Sequence, residues 1–352
     1  MNQISLKKRI EYFDHLRLLA TLAVITIHVS GPYWSVTDVN TRSWLVLNFF
    51  ESISRWCVPV FFMISGTLFL GSTQGIRQIL RKNILHMVTA FVFWSAVYSA
   101  INYSKGLLTV PETIREFLYG YYHMWYLYVI AGLYLAVPLL RKITESRETT
   151  RYYLLMALLF GCLLPQLAIF TGLRSSELKI IAERMLDQLS FRSVCGYSLY
   201  FVLGWYLHNT DISPRARKWI YVLGILGLGA TVILSSLESI RQQSSVHTFF
   251  EYMTPNVLLT GTAVFVFAKY HFHYGKLSGT AISVLKKLSK YSFGVYLMHP
   301  LFYDYLRYNL YFDVLAYDPL ISVPLVSLGL MVLCFLICAL IHQIPVLKKY
   351  IV

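Results

Sequence analysis

Charge is scarce in this chain, and acidic charge scarcest: 14% of its 352 residues are charged, with 17 Asp and Glu against 31 Lys and Arg. Such a composition excludes a disordered or highly solvated protein. Cysteine is also sparse. Cys57, Cys162, Cys195, Cys334 and Cys338 are odd in number, form no CxxC pair and lie in or beside apolar runs. Neither a disulfide framework nor a zinc site is expected, and the five read as small membrane hydrophobes. Low-complexity tracts, fixed-period repeats and an appended soluble domain are likewise missing from the pattern. Lys7 to Arg9 ahead of an apolar run resembles a signal peptide, but Asp14 and Arg17 interrupt the run and no A-x-A cleavage site follows. An uncleaved signal anchor is the expectation.

What the chain does have is apolar surface: 57% hydrophobic residues and 16% aromatics, more than a soluble core of this length requires. It therefore reads as one all-α polytopic membrane domain, residues 1–352, with about ten spans. These are expected near 12–33, 44–70, 83–103, 122–140, 152–171, 194–208, 219–236, 252–270, 289–309 and 320–342, each close to the ~20 residues that cross the hydrocarbon. A formal charge of +14 in a soluble protein would point to nucleic acid. Here the basic residues gather in short loops between apolar runs, so no nucleic-acid partner is expected and the partner implied is the bilayer. With both termini cytoplasmic, Lys and Arg favour the inner segments about two to one. The expected location is the inner or plasma membrane.

Within the first span, Arg17 and His28 stand eleven residues apart, three helical turns plus about 20°, so they share one face about 16 Å apart along the axis. A buried cation usually has a purpose in a membrane, although snorkelling of Arg17 and a helix-to-helix bond from His28 would account for the pair structurally. Arg55 is the other cation inside a span, four residues before Pro59, whose ring is expected to kink the helix. It is placed either on an oxyanion or acceptor, or in a buried ion pair. Ser292, Tyr296 and His299 follow one another at spacings of four and three and share a face. Arg77, Arg81 and Lys82 form a basic cluster suited either to phosphates or to anionic lipid. His271 and His273 have no cysteine or carboxylate beside them, and no metal is expected. The segment from Gly172 to Arg192 is spaced like an interfacial helix, a plausible place for substrate selection.

Five blocks carry a resemblance. The Arg17 to His28 spacing, SRWCVPVFFMISGTLFLG in the second span, HMWYLYVIAGLYLAVPL from His123, YFVLGWYL from Tyr200 and LSKYSFGVYLMHP from Leu288 occur in order along nearly the whole chain. Together they resemble the acyltransferase-3 family of integral membrane acyltransferases. Within it the likeness is greatest to the enzymes that O-acetylate enterobacterial common antigen and related surface polysaccharides. The resemblance implies transfer of an acyl group, usually acetyl from acetyl-CoA, to a hydroxyl of a surface or lipid-linked carbohydrate. It makes Arg17 and His28 the catalytic pair. It also makes His123, Trp125 and Tyr126 candidates for lining the acceptor cleft, brings Ser292, Tyr296 and His299 beside the active site, and leaves Ser65 and Gly66 between donor contact and helix packing. Arg77, Arg81 and Lys82 are the candidates for holding the phosphates of coenzyme A. Imidazole chemistry fits, either as general base or as transient acyl carrier. A glycan or amino-acid transporter is the competing class, disfavoured because no inverted repeat or matched pair of broken helices is visible.

Overall fold

The computed structural model describes residues 9–171, 176–189, 195–275 and 277–350, and these form helices with no strand among them. In chain order the helices are α1 (Glu11–Trp34), α2 (Arg42–Ser54), α3 (Cys57–Leu70), α4 (Leu85–Ser104), α5 (Val110–Tyr119), α6 (Trp125–Thr144), α7 (Arg147–Leu158) and α8 (Leu164–Thr171). They continue with α9 (Ser176–Gln188), α10 (Ser198–Asn209), α11 (Pro214–Gln242), α12 (Pro255–His271), α13 (Gly279–Asp304), α14 (Pro319–Ile341) and α15 (Pro345–Tyr350).

Among the described residues, seven segments are long and apolar enough to cross a bilayer: Glu11–Trp34, Arg42–Leu70, Ile76–Ser104, Val110–Thr144, Arg147–Phe170, Pro214–Gln242 and Pro319–Ile341. The other three of the ten expected spans fall on helices that differ in length or polarity. α10 has 12 residues and α12 has 17, both short of a full crossing, while α13 has 26 but carries Lys286, Lys287 and Lys290. All three pack against other helices of the bundle. Of the Lys and Arg residues counted toward orientation, Lys7, Lys8, Arg174, Arg192 and Lys276 lie outside the described residues.

α1 is the hub, packed against α2, α3, α12, α13 and α14. The closest seam is between α3 and α10. A Cβ placed on Gly66 would fall 1.8 Å from the Phe201 carbonyl oxygen, and one on Gly204 would fall 2.2 Å from that of Met63, so both backbones meet where no side chain fits. The second expected span is two helices. Pro59 has no N–H for the Arg55 carbonyl, and the chain breaks at Arg55 and Trp56 instead of merely kinking. A π-helical turn, Ile79–Ile84, leads into α4 and sets Arg81, Lys82 and Asn83 on the lining of a cavity, the first two remaining exposed. α5 begins with a capping box between Thr109 and Glu112 and leaves Val110, Ile114 and Leu118 exposed along one stripe, the pattern of a helix lying in the interface. α9 supplies the helix expected in the 172–192 segment, with Leu178, Ile181 and Met185 exposed; 172–175 and 190–194 lie outside the described residues.

Candidate active site

A cavity of about 1080 Å³ opens between α1, α3, α6, α13 and the π turn. Its two ends differ in chemistry. One end is imidazole and aromatic: His28 near the end of α1, His123 from the Tyr122–Met124 turn that opens α6, and Tyr126, Trp125 and Tyr296. The other end is cationic, lined by Arg17, Arg81, Lys82, Lys290 and Lys348, and no Asp or Glu is among the described lining residues.

At the imidazole end, His28 stacks on His299 with ring centroids 4.9 Å apart and planes 11° from parallel. Nδ1 of His28 lies 2.6 Å from Nε2 of His299, and Nδ1 of His299 lies 3.0 Å from the Val295 carbonyl. A carbonyl only accepts, so Nδ1 of a neutral His299 donates to it and Nε2 carries the lone pair. His28 must then donate from its own Nδ1. The remaining nitrogen, Nε2 of His28, keeps a lone pair and has no hydrogen-bond partner among the described residues, and the His28 side chain lines the cavity. This chain of hydrogen bonds sets the tautomer of a base. Pro300 reinforces it, since its missing N–H leaves the Tyr296 carbonyl free of the helical ladder immediately beside His299. Further bonds fix the surroundings: the Tyr303 hydroxyl donates to the Val29 carbonyl at 2.7 Å, that of Tyr98 to Leu297 at 2.8 Å and that of Tyr296 to His123 at 2.5 Å. His123 is 2% exposed, with its ring 6.1 Å from His28 and 5.7 Å from His299, and neither ring nitrogen completes a hydrogen bond. The Ser292 hydroxyl is similarly buried and unpartnered on the cavity wall. Both mark places where a ligand atom would satisfy a polar group.

Toward the cationic end, Arg17 projects into the cavity with its nearest carboxylate oxygen, on Asp14, 3.9 Å away. Asp14 is already held by Arg9 at 2.6 and 2.7 Å and by the Tyr274 hydroxyl, so it only partly balances Arg17. Ser65 lines the same wall as Tyr126 and Tyr134.

The sequence expectations are thus sorted. Arg17, His28, Ser65, Arg81, Lys82, His123, Trp125, Tyr126, Ser292 and Tyr296 meet in one cavity. Arg77 is outside its lining. His299 is not on the wall but stands behind His28, with its Nε2 2.6 Å from Nδ1 of His28. Arg55 also lies off the wall: it forms a close ion pair with Glu51, which is 1% exposed and accepts from Ser30 at 2.7 Å, and its guanidinium lies 4.4 Å over the Phe250 ring. The ion-pair alternative describes it. Gly66 is a packing residue at the α3–α10 seam. His271 bonds the Phe267 carbonyl at 2.9 Å and stacks on that ring, and His273 bonds the Tyr270 carbonyl at 3.2 Å. Lys290, Lys348, His86, His342 and Tyr252 complete the wall without having been singled out. The two lysines were visible only as loop charge; their convergence depends on how α13 and α15 dock.

Comparison with known proteins agrees at the level of family. No curated protein and no solved structure matches the chain. The model of a family described as an acyltransferase domain matches residues 10–342, nearly the whole chain. On that match, and with several helices long and apolar enough to cross a bilayer, the chain belongs to the acyltransferase-3 family and is a multi-pass membrane acyltransferase.

Proposed function

We propose that the protein transfers an acyl group, most simply acetyl, from acyl-CoA to a hydroxyl of a cell-surface or lipid-linked carbohydrate at the inner or plasma membrane. The observation that carries this reading is the polarity of the cavity, cations without carboxylates at one end and a base of set tautomer at the other. A coenzyme A nucleotide is polyanionic and carries its thioester on a long arm. Phosphates on Arg81, Lys82, Lys290 and Arg17 would leave that arm to run along the wall toward His28, matching the roughly 16 Å between Arg17 and His28. The cationic end then faces the cytoplasm, as the positive-inside reading requires.

The chemistry balances with the side chains in place. Nε2 of His28 accepts the proton of the acceptor hydroxyl as its oxygen bonds to the thioester carbon. The tetrahedral intermediate collapses by breaking the carbon–sulfur bond, and the imidazolium returns the proton to the departing thiolate. His299 accepts from Nδ1 throughout and steadies the transient charge. Ser292 and His123, both short of a partner, are placed to meet the carbonyl oxygen or the incoming sugar.

Purified protein in sealed vesicles, given labelled acetyl-CoA and envelope glycan, tests this. His28→Ala should retain donor binding and normal abundance while transfer is lost, and Arg17→Lys should weaken donor use because the planar fork is gone. Transfer that survives in His28→Ala overturns the assignment. A solute that crosses the vesicle without any thioester consumption would replace it with the transporter reading.

A further inference from the structure

A second cavity, about 1040 Å³, opens at the imidazole end of the bundle between α8, α11 and the Thr248–Thr254 turn, and nothing in the reaction described above uses it. Its chemistry is opposite to that of the first. Among the described residues, Glu183, Glu238 and Glu251 line it against one cation, Arg241. Gln166, 7% exposed, contributes an amide whose oxygen and nitrogen are both without partners. Oε2 of Glu238 is also buried and unpartnered. A primary amide and a carboxylate left unsatisfied on a cavity wall are costly unless a ligand donates and accepts there. Two rings, Phe170 and Phe249, lie 6.1 Å apart on the same wall and offer an apolar face.

Only one residue's thickness separates this space from the first cavity. Glu251 and Met253 face the second cavity, while Tyr252 between them faces the first. Tyr252 stacks on Trp125, with centroids 5.7 Å apart, and its carbonyl accepts from the Tyr200 hydroxyl. On one flank, the lining residue Leu237 is 60% exposed on α11, a helix long and apolar enough to cross a bilayer.

We propose that this second cavity is the carbohydrate-acceptor site, and that Tyr252 is the partition across which the acceptor hydroxyl reaches His28. Paired donors and acceptors beside an aromatic face suit a polyhydroxylated ring, and the carboxylate excess selects a neutral or cationic sugar over an anionic one. The size is at the upper end of small-ligand sites and admits more than one ring. The sugar arrives either on a lipid carrier through the Leu237 side or as surface glycan from the aqueous side. This inference rests on the acyltransferase reading.

The test uses the full-length protein in vesicles with labelled acetyl-CoA and envelope glycan from the cells that make it. Gln166→Leu and Phe249→Ala should bind acetyl-CoA as the parent does, while label entering glycan at limiting acceptor falls about tenfold, the loss of one or two hydrogen bonds or a stacking face. Product that partitions into organic solvent identifies a lipid-linked acceptor, and product in water a free glycan. Unchanged acceptor dependence in both variants overturns the proposal. If Gln166→Leu no longer binds donor it has misfolded, and Glu238→Gln then decides, a threefold or greater fall supporting the site and none refuting it. A parent protein that moves no label into glycan would instead refute the acyltransferase reading.

Discussion

His299 shows what a neighbour does for a base without touching substrate. It accepts from Nδ1 of His28 and donates to Val295, so its removal should free the His28 ring to turn and to take the wrong tautomer. His299→Ala should lower kcat by about 100-fold with donor KM little changed, and His299→Gln, which can both accept and donate, should recover part of that loss. Steady-state kinetics at saturating acceptor would show it, and equal kcat in all three proteins would remove His299 from the mechanism. Arg55 behaves differently because its partner is Glu51. Arg55→Ala leaves a buried carboxylate unpaired, which costs about 3–5 kcal/mol, so the deficit should appear as lost folded protein in detergent thermal unfolding. The double change Arg55→Met with Glu51→Gln should restore most of it. Normal stability with lost turnover in Arg55→Ala would return Arg55 to the substrate.

Among elements, the seam of α3 and α10 holds the cavity wall that carries Ser65. Gly66→Ala forces a methyl group into the Phe201 carbonyl and should destabilise by about 1–3 kcal/mol or more, read as a lower unfolding temperature of the purified protein. An unchanged midpoint would contradict the close approach. Much of this level was legible in the sequence. Arg17, His28 and the Ser292–Tyr296–His299 stripe share faces because helical periodicity is local, and each face turned toward the same interior. The break after Ser54 was not legible as such, since Pro59 announces a disturbed ladder without saying whether the helix bends or ends. The partner of Arg55 was hidden for another reason: Glu51 lies one turn away, but the burial that makes the pair obligatory comes from Ser30 and Phe250, distant in sequence.

On the scale of the whole molecule, hydropathy identified the membrane class, while counting spans depended on what covers each helix. α10 and α12 are apolar yet short, and α13 is long yet carries three lysines toward one end, and all three pack against other helices. The proposed orientation is open to direct measurement. Reporters fused after Val352 and within 145–150 should read cytoplasmic, and one inserted at Ser176 should read external. An external carboxy terminus would place the cationic end of the cavity away from the cytoplasmic pool of acyl-CoA and would exclude the donor route proposed here.

The amphipathic α5 leads through Gly120, at φ 76°, and Tyr121 directly into the turn that carries His123. A helix with the pattern of an interfacial one, packed on α4, is thereby coupled by a few residues to the imidazole cluster. Bilayer thickness becomes a variable of the reaction: lipids with longer tails would lift α5 relative to the helices fixed through the core, pulling on the His123 turn. Turnover measured across vesicles of graded acyl-chain length should pass through a maximum, and the Thr109→Ala change, which removes the cap, should broaden it.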